Sequence, residues 1–110
     1  MGVSRILYTT ETDTYDVTVW IAYQEDGSLR FHGQHFDPGH APLDRAVYEY
    51  FIVIPQRQFV QVRKALMTVG AVDVAELMQA NAETICDQGE LTWLDRHGIE
   101  YTFEDWHNLA

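Results

Sequence analysis

The residues best suited to proton transfer or metal ligation in this 110-residue chain are five histidines, His32, His35, His40, His97 and His107. His32 and His35 stand three apart. On a strand that spacing puts them on opposite faces, so they cannot chelate one ion without a bulge. His32 can meet His40 across the loop Asp37-Pro38-Gly39-His40-Ala41-Pro42-Leu43-Asp44, but no cysteine or paired carboxylate completes a ligand set and only Asp37 lies nearby. The expectation is no metal site and surface histidines. His32 or His35 with Asp37 has the composition of an acid–base pair, yet no nucleophile elbow, glycine-rich phosphate loop or HExxH motif accompanies it. Cys86 falls on or near an apolar helical stripe, the setting of an inert core thiol. As the single cysteine it excludes an internal disulfide. Glu25-Asp26 and Glu104-Asp105 read as turn and tail solvation. The chain is therefore expected to be no enzyme and to use no cofactor.

The charge is more informative. Seventeen Asp and Glu oppose seven Lys and Arg, for a formal net charge of -10. Phosphate contacts need a basic surface, so this balance argues against nucleic acid and against an anionic membrane; it favours attraction to a basic partner. From Ala65 to Ala110 there are nine acids (Asp73, Glu76, Glu83, Asp87, Glu90, Asp95, Glu100, Glu104, Asp105) and one base, Arg96, a formal -8. Solvated helix faces account for such a pattern; so does a surface shaped to meet a basic partner. The aromatic residues lie among acids, which suits a protein interface better than a nucleic-acid one.

The elements that must position these groups follow from periodicity. A first strand is expected over residues 4–10, then a polar turn over Glu11 to Thr14. Tyr15 to Tyr23 alternates, with Tyr15, Val17, Val19, Ile21 and Tyr23 on one face. Trp20 lies on the more polar face, so either another element covers it or the indole belongs to a binding surface. Asp26-Gly27 predicts a hairpin with both turn positions at positive φ, leading to a third strand over Leu29 to Phe36. There Gly33 marks a bulge or a close backbone approach. Residues 46–54 form the fourth strand. Tyr48, Tyr50, Ile52 and Ile54 line one face and Val47, Phe51 and Val53 the other, with Glu49 between them, which predicts a sheet at least partly covered on both sides.

Pro55 ends that strand and opens a helix carrying Phe59, Val62, Leu66 and Val69, with Gly70 as its stop. Asp73 caps a second helix, with Glu76 completing a capping-box-like pattern, running to Asp87-Gln88-Gly89. A third helix spans Glu90 to His97 and ends at Gly98. Ile99 to Glu104 alternates again and predicts a last strand with Ile99, Tyr101 and Phe103 inward. The chain is expected to be one domain over residues 1–110. Its class is α+β: an antiparallel sheet of four to five strands, order ββββαααβ, with helices packed on one face. No run of about 18 apolar residues and no signal-peptide pattern is present, so a cytoplasmic location is expected.

Tyr48-Glu49-Tyr50-Phe51-Ile52-Val53-Ile54-Pro55 with its amphipathic helix, and Trp93-Leu94-Asp95-Arg96-His97-Gly98-Ile99-Glu100-Tyr101-Thr102-Phe103, resemble segments of small acidic bacterial immunity proteins of polymorphic toxin and contact-dependent growth inhibition systems. The resemblance spans about the last two thirds of the chain and rests on structural motifs. It implies an immunity protein that binds and neutralises the toxic domain, a basic nuclease for example, of a cognate toxin. The expected partner-facing acids are Asp87, Glu90 and Asp95 around the third helix, with Glu100, Glu104 and Asp105. Two other readings stay open. One is a phage-borne acidic mimic of nucleic acid acting against restriction or CRISPR systems; the other is a small enzyme or ligand-binding module built on His32, His35 and Asp37.

Overall fold

A computed structural model describes residues 5–11, 16–36, 46–68 and 72–107. The turn expected at Glu11 to Thr14, Tyr15, the loop bearing Asp37 and His40, and Gly70 lie wholly or largely outside the described residues.

Strands β1 (Arg5–Glu11), β2 (Asp16–Tyr23), β3 (Leu29–Phe36) and β4 (Ala46–Ile54) form an antiparallel meander, and β5 (Thr102–His107) joins beside β4, giving the order β1-β2-β3-β4-β5. Between β4 and β5 run a short 3-10 turn, Gln56–Gln58, and four helices: α1 (Phe59–Ala65), α2 (Val74–Ala80), α3 (Ala82–Gln88) and α4 (Glu90–Arg96). The fold is α+β, as the order of patterns predicts.

Alternation decides which face is buried. Val17, Val19 and Ile21, then Leu29 and Phe31, then Tyr50, Ile52 and Ile54 point to the helices. They meet Val62, Val74, Met78, Ile85, Trp93 and Leu94 in one core. Each such side chain removed from water contributes about 1.5–3 kcal/mol before the entropy of ordering it is counted. A bulge between Ile6 and Tyr8 turns two successive residues of β1 inward. Leu7 is buried and Tyr8 packs on the core, while Ile6 faces out.

The other face differs from expectation. Trp20, His32, Phe51 and Val53 are all partly exposed there, and Trp106 is more so. No described helix covers them; Phe51 of β4 instead stacks on His32 and meets Trp106 edge-on within the sheet.

Local chemistry sets the turns and caps. The β2–β3 connection bonds Gln24 to Ser28 through N–H to C=O at 2.8 Å, and Gly27 N–H donates to Gln24 C=O at 3.0 Å. Only Gly27 takes a positive φ, 88°. Asp26 keeps an ordinary backbone and uses its carboxylate to accept the Ser28 N–H (2.9 Å) and hydroxyl (2.5 Å). The loop is therefore a β-turn followed by a left-handed glycine, the longer alternative to a two-residue turn. Asp73 caps α2 as predicted, accepting the Glu76 N–H at 2.9 Å.

Three boundaries depart from the periodicity. The second predicted helix is two, α2 and α3, broken at Asn81. The Asn81 side chain donates to the Leu77 carbonyl at 2.9 Å and its N–H to Met78 C=O at 3.1 Å, a tightened turn that competes with the regular ladder. The last strand starts at Thr102, three residues later than predicted. Ile99 is needed elsewhere: its N–H donates to Leu94 C=O (3.0 Å) while Gly98, at φ 66°, donates to Asp95 C=O (3.2 Å). This is a Schellman motif in which Ile99 and Leu94 are both buried.

The first helix ends at Ala65, short of Gly70, in the same motif: Met67 N–H donates to Lys64 C=O (3.0 Å) and Thr68 N–H to Arg63 C=O (2.8 Å). Here the left-handed position, φ 57°, is filled by Met67, whose side chain is 93% exposed. A side chain in that region costs about 1–2 kcal/mol that glycine avoids, and Met67 recovers none of it by burial. Met67→Gly is expected to stabilise the protein by about 1 kcal/mol, read as a higher urea midpoint at unchanged slope.

Candidate functional site

The five described tyrosines, Tyr8, Tyr23, Tyr48, Tyr50 and Tyr101, each donate their hydroxyl to a carboxylate. Tyr23 reaches Asp73 at 2.6 Å, Tyr101 reaches Asp95 at 2.8 Å, Tyr48 reaches Asp105 at 3.2 Å and Tyr8 reaches Asp87 at 3.5 Å. Tyr50 donates to Glu90. Tyr23 also accepts the Ala75 N–H at 3.2 Å, so its hydroxyl ties β2 to the start of α2. Tyr101 and Asp95 stand beside the end of α4. The remaining three pairs meet at one place.

That place is a cleft between the inner face of the sheet and the junction of α3 with α4. It consists of two adjoining hollows of about 210 Å³ and 290 Å³ that share His35, Tyr50 and Glu90. Tyr48, Leu91 and Phe103 line one side and Tyr8, Cys86 and Asp87 the other. Gly33 makes the cleft possible. A Cβ there would stand 2.1 Å from the Tyr50 ring, so the ring occupies the space a side chain on β3 would need. His35, one step along the same face, meets Tyr48 and Tyr50 edge-on, at centroid distances of 5.2 and 6.1 Å.

The electrostatics of the cleft keep its groups neutral or anionic. Burial and the nearby Glu90 carboxylate push the Tyr50 hydroxyl far above the ordinary phenol range. Tyr48 rises for the same reason, with Asp105 and Glu90 adding to burial. Burial, then Glu90 and Asp87, push the Cys86 thiol up to about 12. At neutral pH the phenols and the thiol are protonated, so none is a base or a nucleophile. Asp87 and Glu90 each bind a phenol through one carboxylate oxygen and have a second. A cleft floored by aromatic rings and rimmed by anions suits a cationic group.

The six acids expected to face a partner do not form one patch. Asp87 and Glu90 line the cleft, and Asp105 stands at its edge through its bond with Tyr48. Asp95 is occupied by Tyr101 at the far end of α4, and Glu100 pairs with Arg57 beside the 3-10 turn, where its N–H also donates to Gln58 Oε1 at 3.1 Å. Glu104 stands on the opposite face of the sheet, in register with Phe51. His32 and His35 do lie on opposite faces, as their spacing predicts. His32 stacks on Phe51 at 4.4 Å and its Nε2 is 3.1 Å from Glu49 Oε2. Among the described residues no three His, Cys, Asp or Glu side chains are grouped to hold a metal ion, and no helix is long and apolar enough to cross a membrane. The proposed His32–His40 and His–Asp37 pairings fall outside the described residues.

Sequence reasoning missed the tyrosine–carboxylate pairing. Each tyrosine reads as core by periodicity, and nothing local pairs Tyr50 with Glu90 or Tyr48 with Asp105. The usable signal was Gly33, because a glycine in the middle of an otherwise bulky strand marks where another ring must lie.

Gly33→Ala is expected to cost about 2–3 kcal/mol in unfolding free energy, with loss of the near-ultraviolet circular dichroism of Tyr50. His35 gives a pH signature. Burial holds its pKa below the ordinary value of 6.5, against a smaller opposing pull from Glu90. The folded state thus binds this proton less readily than the unfolded state. Stability is lost as pH falls from 6.5 through the lowered folded value. An imidazole titration by NMR is expected to show a midpoint below 6.5, and His35→Gln to flatten the acid limb of stability against pH.

No family model, no curated protein and no solved structure matches this chain.

Proposed function

We propose that this protein is a binding protein that neutralises a basic protein domain, as an immunity protein neutralises its cognate toxin, and that the cleft at Tyr48, Tyr50 and Glu90 receives a lysine or arginine of that partner. What carries the reading is the placement of Asp87 and Glu90, from α3 and α4, over a floor of tyrosine rings, with Asp105 of β5 held by Tyr48 at its edge. Interfaces draw their energy from desolvated aromatic anchors, and Tyr is among the commonest. Opposite charge around such anchors speeds encounter and fixes register. The net charge of -10 adds long-range steering toward a cationic surface. The chemistry of the cleft favours holding a cation over transforming one, because its phenols and thiol stay protonated.

The partner is sought in the neighbouring reading frame, especially a large secreted protein with a variable C-terminal domain. Co-expression is expected to rescue growth from that domain, and the two are expected to co-purify. The triple variant Asp87→Asn, Glu90→Gln, Asp105→Asn is expected to weaken association at least about 30-fold, an effect of the size that charged contact pairs produce, and to reduce its salt dependence. Glu25→Gln, an exposed acid at the β2–β3 turn far from the cleft, serves as the control that leaves affinity unchanged. Full affinity in the triple variant overturns the assignment of the cleft; absence of both rescue and binding overturns the function.

A further inference from the structure

The sheet has two edges, β1 and β5, and they are built differently. β1 is interrupted by the bulge between Ile6 and Tyr8, and Gln79 of α2 donates to the Ile6 carbonyl at 3.1 Å. A bulge and a side chain on the backbone both keep another strand from pairing. β5 has no such bulge. It runs in unbroken register with β4, from Thr102 opposite Val53 to His107 opposite Tyr48, and among the described residues β4 is its one strand neighbour. In an antiparallel pair every second residue turns its N–H and C=O away from the partner strand. β5 therefore offers a regular row of donors and acceptors along its free side.

The side chains of β5 sort by alternation into two matching sets. Phe103 and Asp105 face the helices, and Glu104 and Trp106 face the other way. Each side of the edge thus carries one ring and one carboxylate, two residues apart. All four residues are exposed, Phe103 at 38% and Trp106 at 59%. On the helix side Phe103 lines the cleft, and Asp105 stands at its edge on Tyr48. On the other side the row Ile6, Trp20, His32, Phe51 and Glu104 crosses all five strands in register and ends at β5. There Trp106 meets Phe51 edge-on at 5.3 Å. A ring beside a carboxylate attracts a cation through both its π-face and the charge.

We infer that the edge of β5 pairs with an extended segment of the basic partner that carries two adjacent Lys or Arg residues, one for each side of the sheet. The inference rests on the reading of the cleft as the receptor of a basic protein, and it names the form in which that protein presents its charge, as an added strand. Adjacent residues of a strand point to opposite faces. A dibasic pair therefore sets one cation beside Glu104 and Trp106 and the other beside Asp105 and Phe103, at the mouth of the cleft. Opposite charges directly across two strands stabilise the pair, and like charges destabilise it. The same rule excludes a second copy. Two β5 strands related by a two-fold keep like faces together only in alternate registers. The two such registers with the longest overlap set Glu104 against Glu104 or Asp105 against Asp105. The acids bar self-association at this edge and admit a strand of opposite charge.

The probe is a cyclic β-hairpin peptide with Lys-Arg at the centre of its free strand, preorganised to limit the ordering that binding requires. Titrated into the whole isotope-labelled chain, it is expected to bind with a dissociation constant below about 1 mM and to shift the backbone amides of Thr102–Trp106 in NMR spectra. Near saturation it is expected to slow hydrogen exchange at every second amide of β5 at least about threefold. Two control hairpins, one with Glu-Glu in place of Lys-Arg and one N-methylated along its pairing edge, are expected to bind at least about 10-fold more weakly, the first through charge and the second through the lost ladder. Glu104→Lys, at an exposed position, is expected to weaken the Lys-Arg hairpin about fivefold and to strengthen the Glu-Glu hairpin, with circular dichroism unchanged. Opposite effects on the two peptides separate recognition of charge from damage to the strand. No binding of the Lys-Arg hairpin at about 1 mM overturns the inference, as does binding that leaves the β5 amides unchanged or that survives N-methylation. A hairpin that pairs with β5 while no neighbouring domain binds the chain removes the proposed function and leaves the edge standing; a cognate domain that binds while β5 exchanges as before does the reverse.

Discussion

The Tyr50 ring over the bare backbone of Gly33 is the contact on which the site depends. It is a steric fit first: β3 and β4 pair at this point, and one of them must surrender its side chain so that the other can lay an aromatic ring across it. With the ring fixed, its hydroxyl reaches the start of α4 and holds Glu90 against the sheet. That bond sets how α4 approaches β4, and therefore how wide the cleft between them is. His35, Tyr48 and Phe103 are arranged around the same ring, so the shape of the cleft and the packing of α4 have one origin.

The pairing of tyrosines with acids changes what the negative charge means. Asp73, Asp87, Glu90, Asp95 and Asp105 accept hydroxyls from side chains distant in sequence or from a turn. A carboxylate that accepts a hydrogen bond from a neutral donor keeps its full charge, so these residues hold elements together and remain anionic toward solvent. One set of acids serves both fold and recognition. Charge-assisted bonds of this kind are stronger than neutral ones, and they help a small domain orient α2, α3 and α4, seven-residue helices that are too short to be stable alone.

The sheet was legible because its signals are local: alternation from Val17 to Tyr23, a Gly-containing turn at Gly27, and the dense run from Tyr48 to Ile54. The Asp73 cap and the Gly98 stop were legible for the same reason. Elsewhere a rule of composition yielded to a rule of geometry. Met67 fills a left-handed position that the sequence reserves for glycine, because the helix has already turned away before Gly70. Asn81 breaks a continuous apolar stripe because its amide reaches the backbone one turn back. Ile99 alternates with Tyr101 and Phe103 yet belongs to a helix cap, which moves the strand on to Thr102. The cleft was the least legible part. Asp87, Glu90 and Asp105 were visible as acids, but their meeting with Tyr8, Tyr50 and Tyr48 depends on helix angles and strand register that periodicity does not carry. The row from Ile6 to Glu104 likewise exists only once the registers of five strands are fixed; Trp20 alone hinted at it.

The position of β5 has a consequence for how the chain is made. Four strands pair with their sequence neighbours, so the meander is built from pairings close in the chain. β4 is different. One of its edges waits for β5, which is synthesised only after all four helices. Until then Tyr48-Glu49-Tyr50-Phe51-Ile52-Val53-Ile54 presents unpaired backbone along an apolar, β-branched and aromatic segment, the kind of edge on which nascent chains aggregate. β5 itself carries Glu104 and Asp105. The finished sheet therefore ends in a charged edge, and the vulnerable one is covered by an act of closure that follows the four helices in chain order.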